Sequence, residues 1–242
     1  MASIPESPHK VAFSADIHAQ LYLFQKTEEK VFDVEESDLW VINGDLINKG
    51  PESLEVLRRA RKLVLAKKAI TILGNHELGF LASEREKNTE RRQYWRDYNK
   101  QLSNSGDIFK GIDPEEKENL LHFLASSCLL YRDDVRIAVH AGLVANSIAR
   151  TTHILDRYWH CMQANAFYNI PRSIADFSLA REEATAVDGD VLIVTGHHHE
   201  KDSKVPVLTA NGKRARIARG TGKLNLLVHE REKTPVVHLI EH

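Results

Sequence analysis

Five short apolar runs along the chain each stop abruptly at polar residues, and each has the length of a buried β-strand. They are Val11-Ala12-Phe13, Leu39-Trp40-Val41-Ile42, Ala69-Ile70-Thr71-Ile72-Leu73, Arg136-Ile137-Ala138-Val139 and Val191-Leu192-Ile193-Val194. Helical patterns lie between them. Pro51 suits a first helical position, Glu52 and Glu55 favour the positive end of a helix dipole and Lys67 and Lys68 the negative end, which predicts a helix from Pro51 to about Lys68. A second helix begins at Asp113-Pro114-Glu115-Glu116, with Asp113 as the cap, Glu116 reaching back in a capping box, and Leu120, Leu121 and Leu124 on the apolar face. The tail reads as turns at Asn211-Gly212 and Gly220-Thr221-Gly222 and as strands from Leu224 to His229 and from Val236 to Ile240. Strands alternating with helices predict an α/β fold with a mostly parallel sheet covered on both faces. Ligands in such folds gather beyond the carboxyl ends of the strands.

Two stretches depart from that alternation. Ser83 to Lys100 is densely charged, with Tyr94, Trp95 and Tyr98 among Arg91, Arg92 and Arg96; it reads as a solvated helix, with a lid or a nucleotide-stacking surface as the second reading. Asn146 to Asp190 is irregular and carries Tyr158, Trp159, Phe167, Tyr168 and Phe177, which predicts a small packed insertion. A chain of 242 residues fits one domain over 1–242, with helical insertions or caps around 83–127 and 146–190. Composition changes the picture little. A hydrophobic content of 42% and a charged content of 28% are those of a globular protein, and no apolar run approaches the roughly 20 residues of a membrane span. With a net charge of −1, neither a nucleic-acid polymer nor an anionic membrane is an expected partner. Met1 to Lys10 has no apolar stretch behind basic residues, so a secretory leader is not expected and the cytoplasm is the expected address. Cys128 and Cys161 form no Cys-x-x-Cys pair and read as reduced, buried thiols. Histidine differs: there are 13, three of them consecutive at His197, His198 and His199, which raises the question of a metal.

The polar ends of the five runs answer it. In order they are Asp16-Ile17-His18, Gly44-Asp45, Gly74-Asn75-His76-Glu77, His140-Ala141-Gly142 and Gly196-His197-His198-His199, nearly all of them metal-ligand types. Asp16 and His18, two apart on an extended chain, point to one side and can grip one ion; the same period selects His197 and His199 and turns His198 away. Glycines before Asp45, Asn75 and His197 allow tight turns and close backbone approach to a charged ligand. His122, His153 and His160 read as ordinary histidines, and Asp133-Asp134 as a turn before a strand. The chain has no Gly-rich phosphate loop ending in Gly-Lys-Ser/Thr and no serine nucleophile elbow, which sets aside kinase and serine hydrolase chemistry.

This ordered series resembles the calcineurin-like metallophosphoesterases, whose pattern is D-x-H, G-D, G-N-H-[DE], H and G-H-x-H. The resemblance implies a four-layer α/β/β/α sandwich with mixed sheets and helices on the outer faces. It implies two divalent or mixed-valence ions, manganese first, with iron, zinc or cobalt accepted by the same ligand types. Asp16, His18, Asp45 and His199 would hold one ion; Asp45, Asn75, His140 and His197 would hold the other, with Asp45 shared. A hydroxide bridging the ions would attack phosphorus in line, and His76 would protonate the leaving group, or, on the blander reading, orient ligands.

The stretch from Gly44 to Arg58 looks like that of symmetrical diadenosine tetraphosphatases, within the serine/threonine phosphoprotein phosphatase group. Lys49 stands where that group has an arginine, which makes Lys49, with Asn75, the implied contact to substrate phosphate, as a point charge without a bidentate fork. Asn48 stands where that group has an aspartate beside the catalytic histidine. The implied substrate is a dinucleoside polyphosphate. A phosphoprotein or small phosphomonoester is the alternative within enzymes, and a non-catalytic metal-binding scaffold the alternative outside them.

Overall fold

The computed structural model describes residues 8–102, 108–141, 191–197, 207–209, 214–217, 219–220 and 222–241. Among them, β1 (Lys10–Ser14), β2 (Leu39–Ile42) and β3 (Ala69–Thr71) form a parallel set, flanked by β10 (Lys223–Glu230) and β11 (Val236–Glu241) in the order β11-β10-β1-β2-β3. The pair β1–β10 is antiparallel, as is β10–β11, and the short β9 (Arg219–Gly220) also pairs with β10. A second sheet has the order β4-β5-β6-β8-β7, from β4 (Leu130–Arg132), β5 (Arg136–Val139), β6 (Leu192–Thr195), β7 (Val207–Thr209) and β8 (Arg214–Arg216). Within it β5, β6 and β8 run parallel while β4 and β7 run against their neighbours. All five apolar runs lie on strands, and both sheets are mixed.

Strand alternation sorts the side chains. Phe13 on one face of β1 meets Tyr131 of β4 edge-on, with ring centroids 6.0 Å apart, so the inner faces of the two sheets pack on each other. Its neighbours Ala12 and Ser14 share the opposite face with Trp40, whose indole Nε1 donates to Ser14 Oγ at 2.9 Å. Trp40 also packs on Phe24, 4.9 Å between centroids, from α1 (Leu21–Glu29), which a π-helical turn (Lys30–Val34) prolongs. The outer layer on this side is completed by α2 (Ser53–Leu65), burying Ser53, Val56, Leu57, Ala60 and Leu63 at helical spacing. This helix is shorter than predicted at both ends. Glu52 adopts φ −112° and ψ 37°, with its N–H bound to Ala19 O, and at the other end Lys67 turns left-handed, φ 59°.

Beyond β3 come α3 (Asn75–Arg85), α4 (Thr89–Leu102) and α5 (Pro114–Ala125). The predicted cap on α5 is present: Asp113 accepts from Glu115 N and Glu116 N, at 3.0 and 3.3 Å, and Leu120, Leu121 and Leu124 are buried. Glu116 does not reach back to close a capping box, because its carboxylate pairs with Arg58 of α2. Asp133 makes the predicted turn, accepting from Val135 N and Arg136 N. Cys128 is a half-buried free thiol rather than a fully buried one, and His122 is exposed. Among the described residues no helix is long and apolar enough to cross a membrane. The 146–190 segment, Cys161, His153, His160 and the Asn211-Gly212 turn lie outside the described residues.

Candidate metal centre

The motif residues follow the carboxyl ends of β1, β2, β3, β5 and β6, and the loops that carry them are knitted together. Backbone N–H groups of Ile17 and His18 both donate to Asp45 O, at 3.1 and 2.7 Å, and Ala19 N donates to Leu46 O at 2.7 Å. These loops turn sharply. Of nine non-glycine residues with positive φ among the described residues, six are in the motif loops: His18, Ala19, Asp45, Asn48, Lys49 and His197. Such conformations cost about 1–3 kcal/mol each, and their clustering marks a site that the surrounding fold holds in place. Asp16 and His18 therefore meet through a left-handed turn at His18, not through the period-2 spacing of an extended chain. The glycines serve close approach. A Cβ on Gly74 would fall 2.2 Å from Asp45 Oδ1, and one on Gly44, at φ 88°, would fall 2.5 Å from His140 Nδ1.

Asp45 lies at the centre. Its Oδ2 is 3.8 Å from His18 Nε2, 3.7 Å from His76 Nε2 and 4.0 Å from His197 Nδ1, and its Oδ1 is 3.4 Å from His140 Nε2. Two clusters share it, His18–Asp45–His76 and Asp45–His140–His197, each with ligand atoms within 4.8 Å of one another. Asp16 Oδ2 lies 3.5 Å from His18 Nε2, while its Oδ1 accepts from His197 N at 3.1 Å. One end of the Asn75 amide lies 3.2–3.3 Å from four acceptors, both Asp45 oxygens, His140 Nε2 and His197 Nδ1; Nδ2 placed there donates to them, and Oδ1 placed there needs a cation. A carbonyl oxygen surrounded by lone pairs is repelled unless a cation sits among them. The mixed carboxylate, amide and imidazole donors fit manganese, iron, cobalt or zinc.

Ring orientation follows from the backbone. His140 Nδ1 is 2.7 Å from Asn43 O, and His18 Nδ1 is 3.4 Å from Ile47 O, which places Nδ1–H on those carbonyls and leaves Nε2 to the hollow. Burial alone would raise the carboxyl pKa of Asp16, but its hydrogen bond to His18 and the charges of His18, His140 and His197 hold it well below the usual range. Burial, then the neighbouring His18 and Lys49, push His76 down to about 2, so its imidazole is neutral. Lys49, exposed at the rim, brings Nζ to 2.8 Å from His18 Nε2. Asn48 donates to Asn99 Oδ1 at 3.2 Å rather than binding His76, whose Nδ1 is buried without a hydrogen-bond partner among the described residues. The structure thus brings together Asp16, His18, Asp45, Asn75, His76, His140 and His197, with Lys49 beside them. His199 lies outside the described residues.

The sequence model of the family described as Calcineurin-like phosphoesterase matches residues 9–220. The chain belongs to that family. Membership agrees with the hydrolase class and the two mixed sheets expected from the motifs. Among curated relatives, a symmetrical bis(5'-nucleosyl)-tetraphosphatase from Nitrosospira multiformis is 34% identical over 47% of this chain and 36% of its own. The protein of the same name from Pseudomonas syringae is 28% identical over 81% of this chain and 59% of its own. The chain thus spans between a third and three fifths of the length of these relatives. Among solved structures, a protein serine/threonine phosphatase from Saccharomyces cerevisiae superposes with a TM-score of 0.61 at 14% identity, over 96% of this chain and 80% of that one, a likeness of fold.

Three further residues support this site: Asn43, which the sequence reading did not name, and Glu77 and Tyr98, which it named without these roles. Glu77 accepts from Asp45 N, Gly74 N and Ile47 N at 2.8, 3.0 and 3.1 Å, locking two motif loops together. Burial, then the charge of Asp45, push its carboxyl up to about 7. Asn43 holds His140 through its carbonyl and donates from Nδ2 to Val139 O at 3.0 Å. Tyr98 of α4 touches Asn75. The final letter of the third motif was a signal for Glu77 and the aromatic cluster of α4 a weak one for Tyr98; Asn43 carries none.

Proposed function

We propose that this chain hydrolyses phosphoric anhydrides or esters in a metal-dependent reaction, with dinucleoside tetraphosphates as the substrate class. The observation that carries the reading is the convergence of the Asn75 amide, the Asp45 carboxylate and the nitrogens of His140 and His197 on one hollow. Asp16, His18, Asp45 and His199 would hold one ion, and Asp45, Asn75, His140 and His197 the second. Two such ions, when bound, supply Lewis-acid charge to the phosphoryl oxygens and lower the pKa of water beside phosphorus. The chain's own groups do the rest. The backbone carbonyls of Asn43 and Ile47 fix two imidazoles with Nε2 inward, and Glu77 pins the backbone beneath Asp45. Lys49 meets substrate phosphate at the rim as a point charge. His76 gives a proton to the departing oxygen. For that role it must carry a proton, which burial, His18 and Lys49 disfavour and the phosphate's negative charge favours. The substrate class is supported by the names of the relatives and by their identity to this chain, 34% over 47% of it and 28% over 81% of it.

The test is a panel of dinucleoside tetraphosphates, phosphopeptides and small phosphomonoesters, assayed with manganese first and then cobalt, zinc and iron. The expected result is symmetrical cleavage to two nucleoside diphosphates, abolished together with metal uptake in Asp45→Asn. Turnover of none of the panel alongside firm metal uptake would leave the scaffold reading; undiminished activity in Asp45→Asn would place the chemistry elsewhere.

A further inference from the structure

We propose that Tyr98, on α4, is a positioning residue for the metal cradle that acts through Asn75; the inference rests on the metal-dependent reading above. A side-chain amide has two ends of the same shape and opposite hydrogen-bonding character. Turned about, Asn75 would set Nδ2 at 3.2–3.3 Å from Asp45 Oδ1 and Oδ2, His140 Nε2 and His197 Nδ1, and could donate to them. That orientation closes the cradle to a cation. With Oδ1 inward, as a bound cation requires, Nδ2 faces Tyr98 Oη at 3.5 Å.

Tyr98 is well placed to hold that amide. Its ring stands edge-on to Trp95, 5.7 Å between centroids at 88°, and Trp95 is only 8% exposed. On the other side a Cβ at Gly79 would meet the Tyr98 ring at 3.0 Å, so it is the glycine of α3 that lets α4 come this close. The next residue, Asn99, accepts from Asn48 in the β2 loop, which ties the same turn of α4 to a second motif loop. A hydroxyl can serve either end of an amide. Its effect here is to fix the amide plane and, once Oδ1 faces in, to draw electron density from Nδ2–H toward the ligating oxygen. Partners one shell out from a metal typically contribute 10–100-fold in affinity in this way.

The experiment titrates metal-free chain with Mn²⁺ and Co²⁺, by calorimetry and by Co²⁺ visible absorption. Tyr98→Phe, which deletes one oxygen, should weaken one of the two ions by about 10–100-fold and shift its absorption while leaving the other ion unaltered. In Asn75→Ala, where Asp45, His140 and His197 remain as ligands, adding Tyr98→Phe should change nothing further. An equal loss in both backgrounds would mean that Tyr98 only packs, and no loss from Tyr98→Phe in otherwise wild-type chain would likewise overturn the inference. Wild-type chain that takes up no ion would overturn this inference and the reading beneath it. Firm uptake by wild type with Tyr98→Phe unchanged removes this inference alone.

Discussion

His76 has two chemically distinct uses in this hollow, and the geometry allows both. Its Nε2 is 3.7 Å from Asp45 Oδ2, close enough to join His18 and Asp45 around an ion, and its buried Nδ1 has no hydrogen-bond partner among the described residues. A leaving-group acid matters in proportion to how much the leaving group needs a proton. General acid catalysis contributes about 10²–10⁴-fold. His76→Asn should therefore cost an alkyl phosphate most of that factor, cost a nitrophenyl ester much less, and leave metal stoichiometry unchanged. Equal losses with depleted metal would make His76 a ligand. At this scale the sequence exposed what short motifs can carry, the residue types that bind or protonate. It could not show Asn43 beneath His140, or Tyr98 beside Asn75, because those partners are 97 and 23 positions apart and only folding brings them together.

Among elements, the five strands that carry the site were legible because burial on both faces leaves continuous apolar runs. The strands β4 and β7–β9 were not, being two or three residues long. Helix α3 was hidden for the opposite reason: Asn75 to Ser83 are all buried, so no polar stripe marks its period. In α4 the charged pattern foretold an exposed helix, and most of it is, but Trp95 is buried and Tyr98 and Asn99 are half-buried toward the site. Of the α5 cap, the Asp113 half was legible and the capping box with Glu116 was not, since Arg58 takes that carboxylate. Asp113→Ala should lower stability by about 1 kcal/mol in urea melts, the usual worth of such a cap, with metal affinity untouched. Loss of metal in that variant would show that α5 supports the cradle.

Across the whole molecule, β5 is tied to the other sheet at both ends. At its start the fully buried Arg136 donates to Pro8 O, His9 O and His229 O, at 3.0, 2.7 and 3.2 Å, to His229 Nδ1 at 2.9 Å, and to Asp133 at 2.9 Å. The family resemblance said nothing of this clamp, and an arginine opening an apolar run gave no hint of being buried. Arg136→Met should cost about 3–5 kcal/mol, since it strands several buried acceptors, and a urea midpoint within error of wild type would show that water takes over the arginine's bonds. At the other end of β5, Asn43 bonds to Val139 and His140 beside the hollow. The donors around that hollow come from both sheets, with Asp16, Asp45 and Asn75 following β1, β2 and β3, and His140 and His197 following β5 and β6. An ion gripped there is a reversible cross-link between two halves of the fold, fastened or released by its concentration in solution. At 100 times its dissociation constant it adds about 2.7 kcal/mol to stability. Chelation should lower the thermal midpoint accordingly and open the seam between the sheets to limited proteolysis, whereas a midpoint indifferent to chelator would mean that the seam is held by Arg136, Asn43 and apolar packing alone.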